Sequence, residues 1–140
     1  MATAPQDESP ARPVGHEQLE GTLDRPILRF QLGAEVDHLH QQEAWHAGSG
    51  PSSTTLVKHP DLRVVLVTMR RGEVMPEHRT VARITVQALT GRLRLNIAGK
   101  REELAAGELL VLDRDLVHNV EAVEDCAFLL TLAWPAEGAA

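Results

Sequence analysis

Gly72-Glu73-Val74-Met75-Pro76-Glu77-His78-Arg79-Thr80-Val81-Ala82-Arg83-Ile84, running on through Thr85-Val86-Gln87-Ala88-Leu89-Thr90 to Gly91, is one of two segments that say most about the architecture. The other is Gly107-Glu108-Leu109-Leu110-Val111-Leu112-Asp113-Arg114-Asp115-Leu116-Val117-His118. Each opens on a glycine, holds a short apolar run and carries a histidine, His78 in the first and His118 in the second. Apolar residues at every second position, or in short runs bounded by turn residues, mark β-strands.

The same pattern spreads outward from both segments. Strands are predicted over 54–59, 62–69, 83–90, 92–97, 101–104, 108–112, 117–123 and 126–134. The stretch 92–97 is clean: Leu93, Leu95 and Ile97 face one way, and Arg92, Arg94 and Asn96 the other. Gly99-Lys100 supplies a tight turn. About eight strands with turns every 8–12 residues indicate a sandwich or barrel, and closing the sheet removes exposed edges. Leu129-Leu130-Thr131-Leu132 is apolar on both faces and should be buried on both sides.

Upstream, one helix is predicted over 32–47, with Leu32, Val36 and Leu39 on one face and Asp37, His38, Gln41 and Gln42 among its polar residues. Gly48-Ser49-Gly50-Pro51 should end it. Leu23, Ile27, Leu28 and Phe30 suggest an edge strand or a docking segment, and Pro26 bars a central strand. The start is rich in Pro, Ala, Asp, Glu and Ser and too poor in apolar residues to offset the entropy of ordering. The expected organisation is a disordered tail over 1–20, an N-terminal segment and helix over 21–50, and a barrel domain over 51–136.

The two segments resemble the two motifs of the cupin superfamily, the conserved-barrel group. The first family motif reads Gly, five residues, His, one residue, His, three or four residues, Glu, six residues, Gly. The second reads Gly, five residues, Pro, one residue, Gly, two residues, His, three residues, Asn. Every spacing is matched, from Gly72 to Gly91 and from Gly107 to Ala122. The family's first and last histidines fall on His78 and His118, its second histidine on Thr80 and its glutamate on Ile84. Its proline, glycine and asparagine fall on Asp113, Asp115 and Ala122. The resemblance implies an all-β fold, a cupin β-barrel or double-sheet jelly roll, with one N-terminal helix. It also implies a homodimer paired through sheets, with 23–30 and 54–58 as candidate interface elements.

In metal-bearing family members three imidazoles and a carboxylate converge inside the barrel, which suits Fe, Mn, Ni, Cu or Zn. This chain keeps His78 and His118 of that set, while Thr80 is a poor ligand and Ile84 none. Gln87 is the candidate third ligand, and it points inward only if a bulge shifts the alternation that puts it opposite Ile84 and Val86. The pocket residues are thus His78, Thr80, Ile84, Gln87 and His118, with His78, His118 and Gln87 as candidate metal ligands for one divalent ion. Two imidazoles can also bind a carboxylate or enol, or pass a proton near neutral pH. The leading expectation is a small-molecule-binding cupin with a degenerate two-histidine site, sensing or binding a small acid. The alternative is a mononuclear-metal enzyme, a dioxygenase, decarboxylase or isomerase, acting on a small oxygenated compound.

Composition narrows the field further. At 140 residues the chain fits one domain, and its net charge of −6, with no Tyr and 3% aromatics, argues against nucleic acid as a partner. No run approaches the ~20 apolar residues of a membrane span, and Met1-Ala2-Thr3-Ala4-Pro5, with no apolar stretch after it, is not expected to begin a signal peptide. A cytoplasmic location is the resulting expectation. The one cysteine, Cys126, reads as a buried small hydrophobe. His38 and His40, two apart and so roughly 200° around a helix, cannot chelate one ion, and with His46 they read as solvated helix residues. Asp113 and Asp115 read as turn residues, with orientation of His118 as the alternative role. Arg70, Arg71, Arg79 and Arg83 read as surface residues.

Overall fold

The computed structural model describes residues 25–48 and 50–135. Among these, two short helices, α1 (Leu32–His40) and α2 (Glu43–Ala47), precede nine strands. The strands are β1 (Ser52–Lys58), β2 (Leu62–Met69), β3 (Val74–His78), β4 (Arg83–Thr90), β5 (Arg92–Ile97), β6 (Lys100–Ala105), β7 (Leu109–Leu112), β8 (His118–Ala122) and β9 (Cys126–Ala133). They form a five-stranded sheet ordered β1-β2-β9-β4-β7 and a four-stranded sheet ordered β3-β8-β5-β6, with every assigned pair antiparallel. This is the double-sheet jelly roll that the resemblance implies, and it falls within the sandwich-or-barrel class indicated by the strand pattern.

The core between the sheets is filled by alternate residues. Val67 and Met69 of β2, Ile84, Val86 and Ala88 of β4, Leu93 and Leu95 of β5, and Phe128 of β9 belong to one buried cluster. The five-stranded sheet is covered on its other face too. There Val36 and Leu39 of α1 pack with Leu56, Val57, Leu66 and Ala127. β2 and β9 therefore read apolar on both faces because both faces are packed against, although Leu129, facing the helices, and Leu130 and Leu132, facing the inter-sheet core, are each only partly buried. The four-stranded sheet keeps a polar outer face: Arg94 bridges Glu103 at 3.2 Å and Glu121 at 3.3 Å, and Asn96 donates to Asn119 at 2.8 Å.

Three expectations change. The single helix over 32–47 is broken at Gln41-Gln42. In a continuous helix residues five apart lie about 140° around the axis, so His40 and Trp45 could not stack. The break brings their rings to 4.2 Å at 25°. The Arg70 guanidinium lies over the same indole at 4.7 Å and its Nε donates to the Trp45 carbonyl, so Arg70 is half-buried and not a freely solvated turn residue. Second, residues 25–30 form no strand; Leu28 and Phe30 pack on the helix-side core and Ile27 is exposed, which is the docking alternative. Third, β3 was not foreseen. Its sequence carries Pro76 and Glu77 amid few apolar residues, and an edge strand next to a bulge tolerates a proline that a central strand would not. The expectation of a disordered tail over 1–20 lies outside the described residues.

Gly91, the last residue of the first motif, has a physical reason to be glycine. It sits at φ +73°, and a Cβ there would lie 2.1 Å from the Asp125 carbonyl oxygen. Gly107 has φ +91° with open space around it. Cys126 is buried, and burial, followed by the negative charge of Asp125, pushes its thiol up to about 11.

Two outcomes follow. Gly107→Ala meets only the cost of left-handed backbone, about 1–2 kcal/mol, whereas Gly91→Ala adds a backbone clash and should lose more than about 3 kcal/mol in urea unfolding. Equal losses would contradict this account. At pH 8 only about one thiol in a thousand of Cys126 is ionised, so a disulfide reagent should modify it only as the chain unfolds; rapid stoichiometric reaction of the native protein would show the thiol to be accessible.

Candidate functional site

The two histidines meet across one pair of strands. β3 and β8 are antiparallel with Met75 opposite Val120 and His78 opposite His118. Met75 and His78 are three apart, so strict alternation would send them to opposite faces. A register shift between them restores both to the inner side, and both line the same cavity. The rings of His78 and His118 lie 4.2 Å apart in an edge-to-face arrangement at 65°. His118 is 5% exposed and sits within the fold, while His78 is exposed at the mouth.

Backbone carbonyls orient both rings in the same way. His78 Nδ1 lies 3.1 Å from the Pro76 carbonyl oxygen, and His118 Nδ1 lies 2.9 Å from that of Leu116. A carbonyl oxygen can only accept, so each Nδ1 carries the proton and donates it. In the neutral rings Nε2 is then a lone-pair nitrogen. Burial lowers the pKa of His118; its bond to Leu116 opposes that shift and the nearby His78 adds to it. His118 therefore stays neutral to lower pH than an ordinary histidine.

The cavity these rings share is small, about 40 Å³, enough for a few waters. Ile84 and Val86 of β4 form one wall with Leu112 of β7. Leu95, Val120, Leu130 and Leu132 close it, and Met75 stands beside His78. Of these apolar liners only Ile84 is among the pocket residues expected from the sequence. The signal was present as inward alternation on β5, β8 and β9.

Of the five expected pocket residues, the structure brings three together: His78, His118 and Ile84. Thr80 is not a liner. It lies in the turn between β3 and β4, where its hydroxyl accepts from the Ala82 amide at 3.2 Å and its carbonyl from the Asp115 amide at 2.8 Å. Gln87 is exposed on the opposite face of β4, away from the cavity that the two histidines line. β4 is in unbroken register from Ile84 to Gln87 with both β7 and β9, and the irregularity falls later, between Ala88 and Thr90. No bulge is available to turn Gln87 inward.

The two aspartates behave as turn residues. Asp115 holds φ +64° where the family motif has glycine, a conformation Asp tolerates better than most residues. Asp113 is exposed; its carboxylate accepts from the Arg114 amide at 2.8 Å and from Arg83 Nε at 3.0 Å. Those two partners, the amide first, hold its pKa below the usual carboxylate range. Arg83 thus faces outward, paired, and Arg79 is exposed. His38 and His46 are exposed on the helices.

A resident catalytic ion generally needs three protein ligands. Here two imidazoles are faced by aliphatic side chains, and among the described residues no three His, Cys, Asp or Glu side chains come together in a way that would hold an ion. The donor set does not fit the metal site that the motif resemblance implies.

No family model matches the sequence, and no curated protein matches it. Solved structures do match. A cupin superfamily protein from Desulfitobacterium hafniense aligns with a TM-score of 0.59 at 14% identity over 61% of this chain and 78% of that one. An RmlC-like cupin from Shewanella frigidimarina aligns with a TM-score of 0.58 at 18% identity over 64% of this chain and 81% of that one. A point mutant of salicylate 1,2-dioxygenase from Pseudoaminobacter salicylatoxidans aligns with a TM-score of 0.70 at 16% identity, over 81% of this chain and 36% of the other. The protein therefore has a cupin fold. No described helix is long and apolar enough to cross a membrane.

Ile84 occupies the family's carboxylate position and lines the cavity with both histidines. Ile84→Glu should thus create the missing donor: Zn²⁺ or Ni²⁺ affinity by calorimetry should tighten at least about tenfold, a typical scale for a ligand-shell change. The metal-free variant should lose a few kcal/mol of stability from the buried carboxyl. Unchanged metal affinity in a folded variant would mean that position 84 does not face the histidine pair.

Proposed function

We propose that this protein is a small-molecule-binding cupin in which His78 and His118 hold an oxygen-bearing ligand, a small acid or an enol, directly and without a resident metal. The role that fits such a site is sensing or carrying the ligand. The observation that carries this reading is the pair of rings 4.2 Å apart, His118 within the fold and His78 at the mouth, in an otherwise apolar cavity. The imidazoles are the polar side chains among the liners, so they supply the directional contacts, and the aliphatic walls supply the burial.

The walls also argue for a ligand of few atoms, because the space is about 40 Å³. The site lacks a cation among its liners and a carboxylate to assist proton transfer. Binding is therefore a better match than turnover for the groups present. The salicylate dioxygenase likeness, at 16% identity, extends to the fold.

Elemental analysis of the purified protein combined with ligand-observed NMR against small acids and hydroxyl compounds tests the reading. Binding without stoichiometric metal is expected, weakened at least about tenfold in His118→Ala through the lost hydrogen bond. About one equivalent of Fe, Mn, Ni, Cu or Zn that disappears in His118→Ala would overturn it in favour of a mononuclear-metal enzyme.

A further inference from the structure

The hydrogen bonds of the two rings say more about the occupant than the presence of histidine alone. Resting on the ligand-binding reading above and narrowing it, we propose that the cavity takes a neutral ligand that brings its own proton, a hydroxyl-bearing molecule with a short apolar body, and discriminates against carboxylate anions.

Nδ1–H of His78 and of His118 is already committed to the carbonyls of Pro76 and Leu116, at 3.1 Å and 2.9 Å. What the neutral rings have left for an occupant is a lone pair on each Nε2, which accepts a hydrogen bond and cannot donate one. A hydroxyl supplies the matching proton, whereas a carboxylate presents lone pairs to lone pairs.

The rest of the lining gives an anion no compensation. Ile84, Val86, Leu112 and Leu130 offer neither a donor nor a positive charge. Arg83, next to Ile84 on β4, is turned outward onto Asp113 at 3.0 Å. An unpaired carboxylate placed against such walls keeps its full desolvation penalty, while a short alkyl group gains from burial there.

The limited volume sets the size of the body. The cavity is only about 40 Å³ and opens beside exposed His78, so it takes a short body and leaves no room for a long one.

The test compares 1-propanol with propionate, which share a carbon skeleton, on the full chain at pH 8, reading imidazole ¹⁵N and Ile and Leu methyl resonances. So small a probe binds in the millimolar range. Saturable shifts of His78 and His118 Nε2 and of the Ile84 methyls with propanol are expected, with propionate at least about tenfold weaker. The propanol response at Ile84 should be lost in His118→Phe, which keeps an aromatic ring and removes the acceptor.

Propionate binding as tightly as propanol at these resonances, or no saturable response to propanol, would overturn the proposal. In the first case the ligand-binding reading survives with an acid as ligand. That reading falls separately, if compounds found by screening still bind after His118→Ala.

Discussion

β4 is hydrogen-bonded without interruption from Ile84 to Gln87, to β7 on one side and β9 on the other. Side chains along such a strand alternate between faces, and no residue can be turned without breaking both ladders. Ile84, Val86 and Ala88 therefore go inward and Gln87 goes out. β3, at the edge of the other sheet, is held by β8 alone and shifts register between Met75 and His78. The chemistry of the cavity results from that contrast: a rigid central strand that supplies only hydrocarbon, and an irregular edge strand that turns a histidine toward the inside.

The same register governs energetics. With the carboxylate position occupied by Ile84, the pocket side of the core is apolar and offers little to stabilise charge. His118 responds by staying neutral, because burial penalises its protonated form. Its ring is nevertheless fixed in orientation by the Leu116 carbonyl, as that of His78 is by Pro76. Two rings oriented by backbone carbonyls thus face aliphatic walls, His118 from within the fold and His78 from the mouth.

Away from the cavity the fold relies on coverage of the five-stranded sheet. α1 and the segment carrying Leu28 and Phe30 shield its outer face, so β2 and β9 are apolar on both sides. α2 is fastened by the stack of His40, Trp45 and Arg70. Glu73 joins the same corner, accepting from the Arg70 amide at 2.9 Å and the Gly50 amide at 3.1 Å.

Strand period and glycine placement are local properties, and the sequence alone determined them here. Strands over 62–69, 83–90 and 92–97 were legible to the residue, the motif spacing put His78 and His118 in one barrel, and the burial of Cys126 followed from its neighbours. The break in the helix and strand β3 were hidden because each depends on distant partners: the stack of Trp45 with Arg70 in one case, pairing with β8 in the other. Thr80 and Gln87 looked like pocket residues from spacing alone. Tertiary structure decided otherwise, since a turn carries Thr80 and two neighbouring ladders hold Gln87 outward. Which nitrogen of each histidine is left open was likewise settled only in three dimensions, because it depends on where backbone carbonyls lie around the ring.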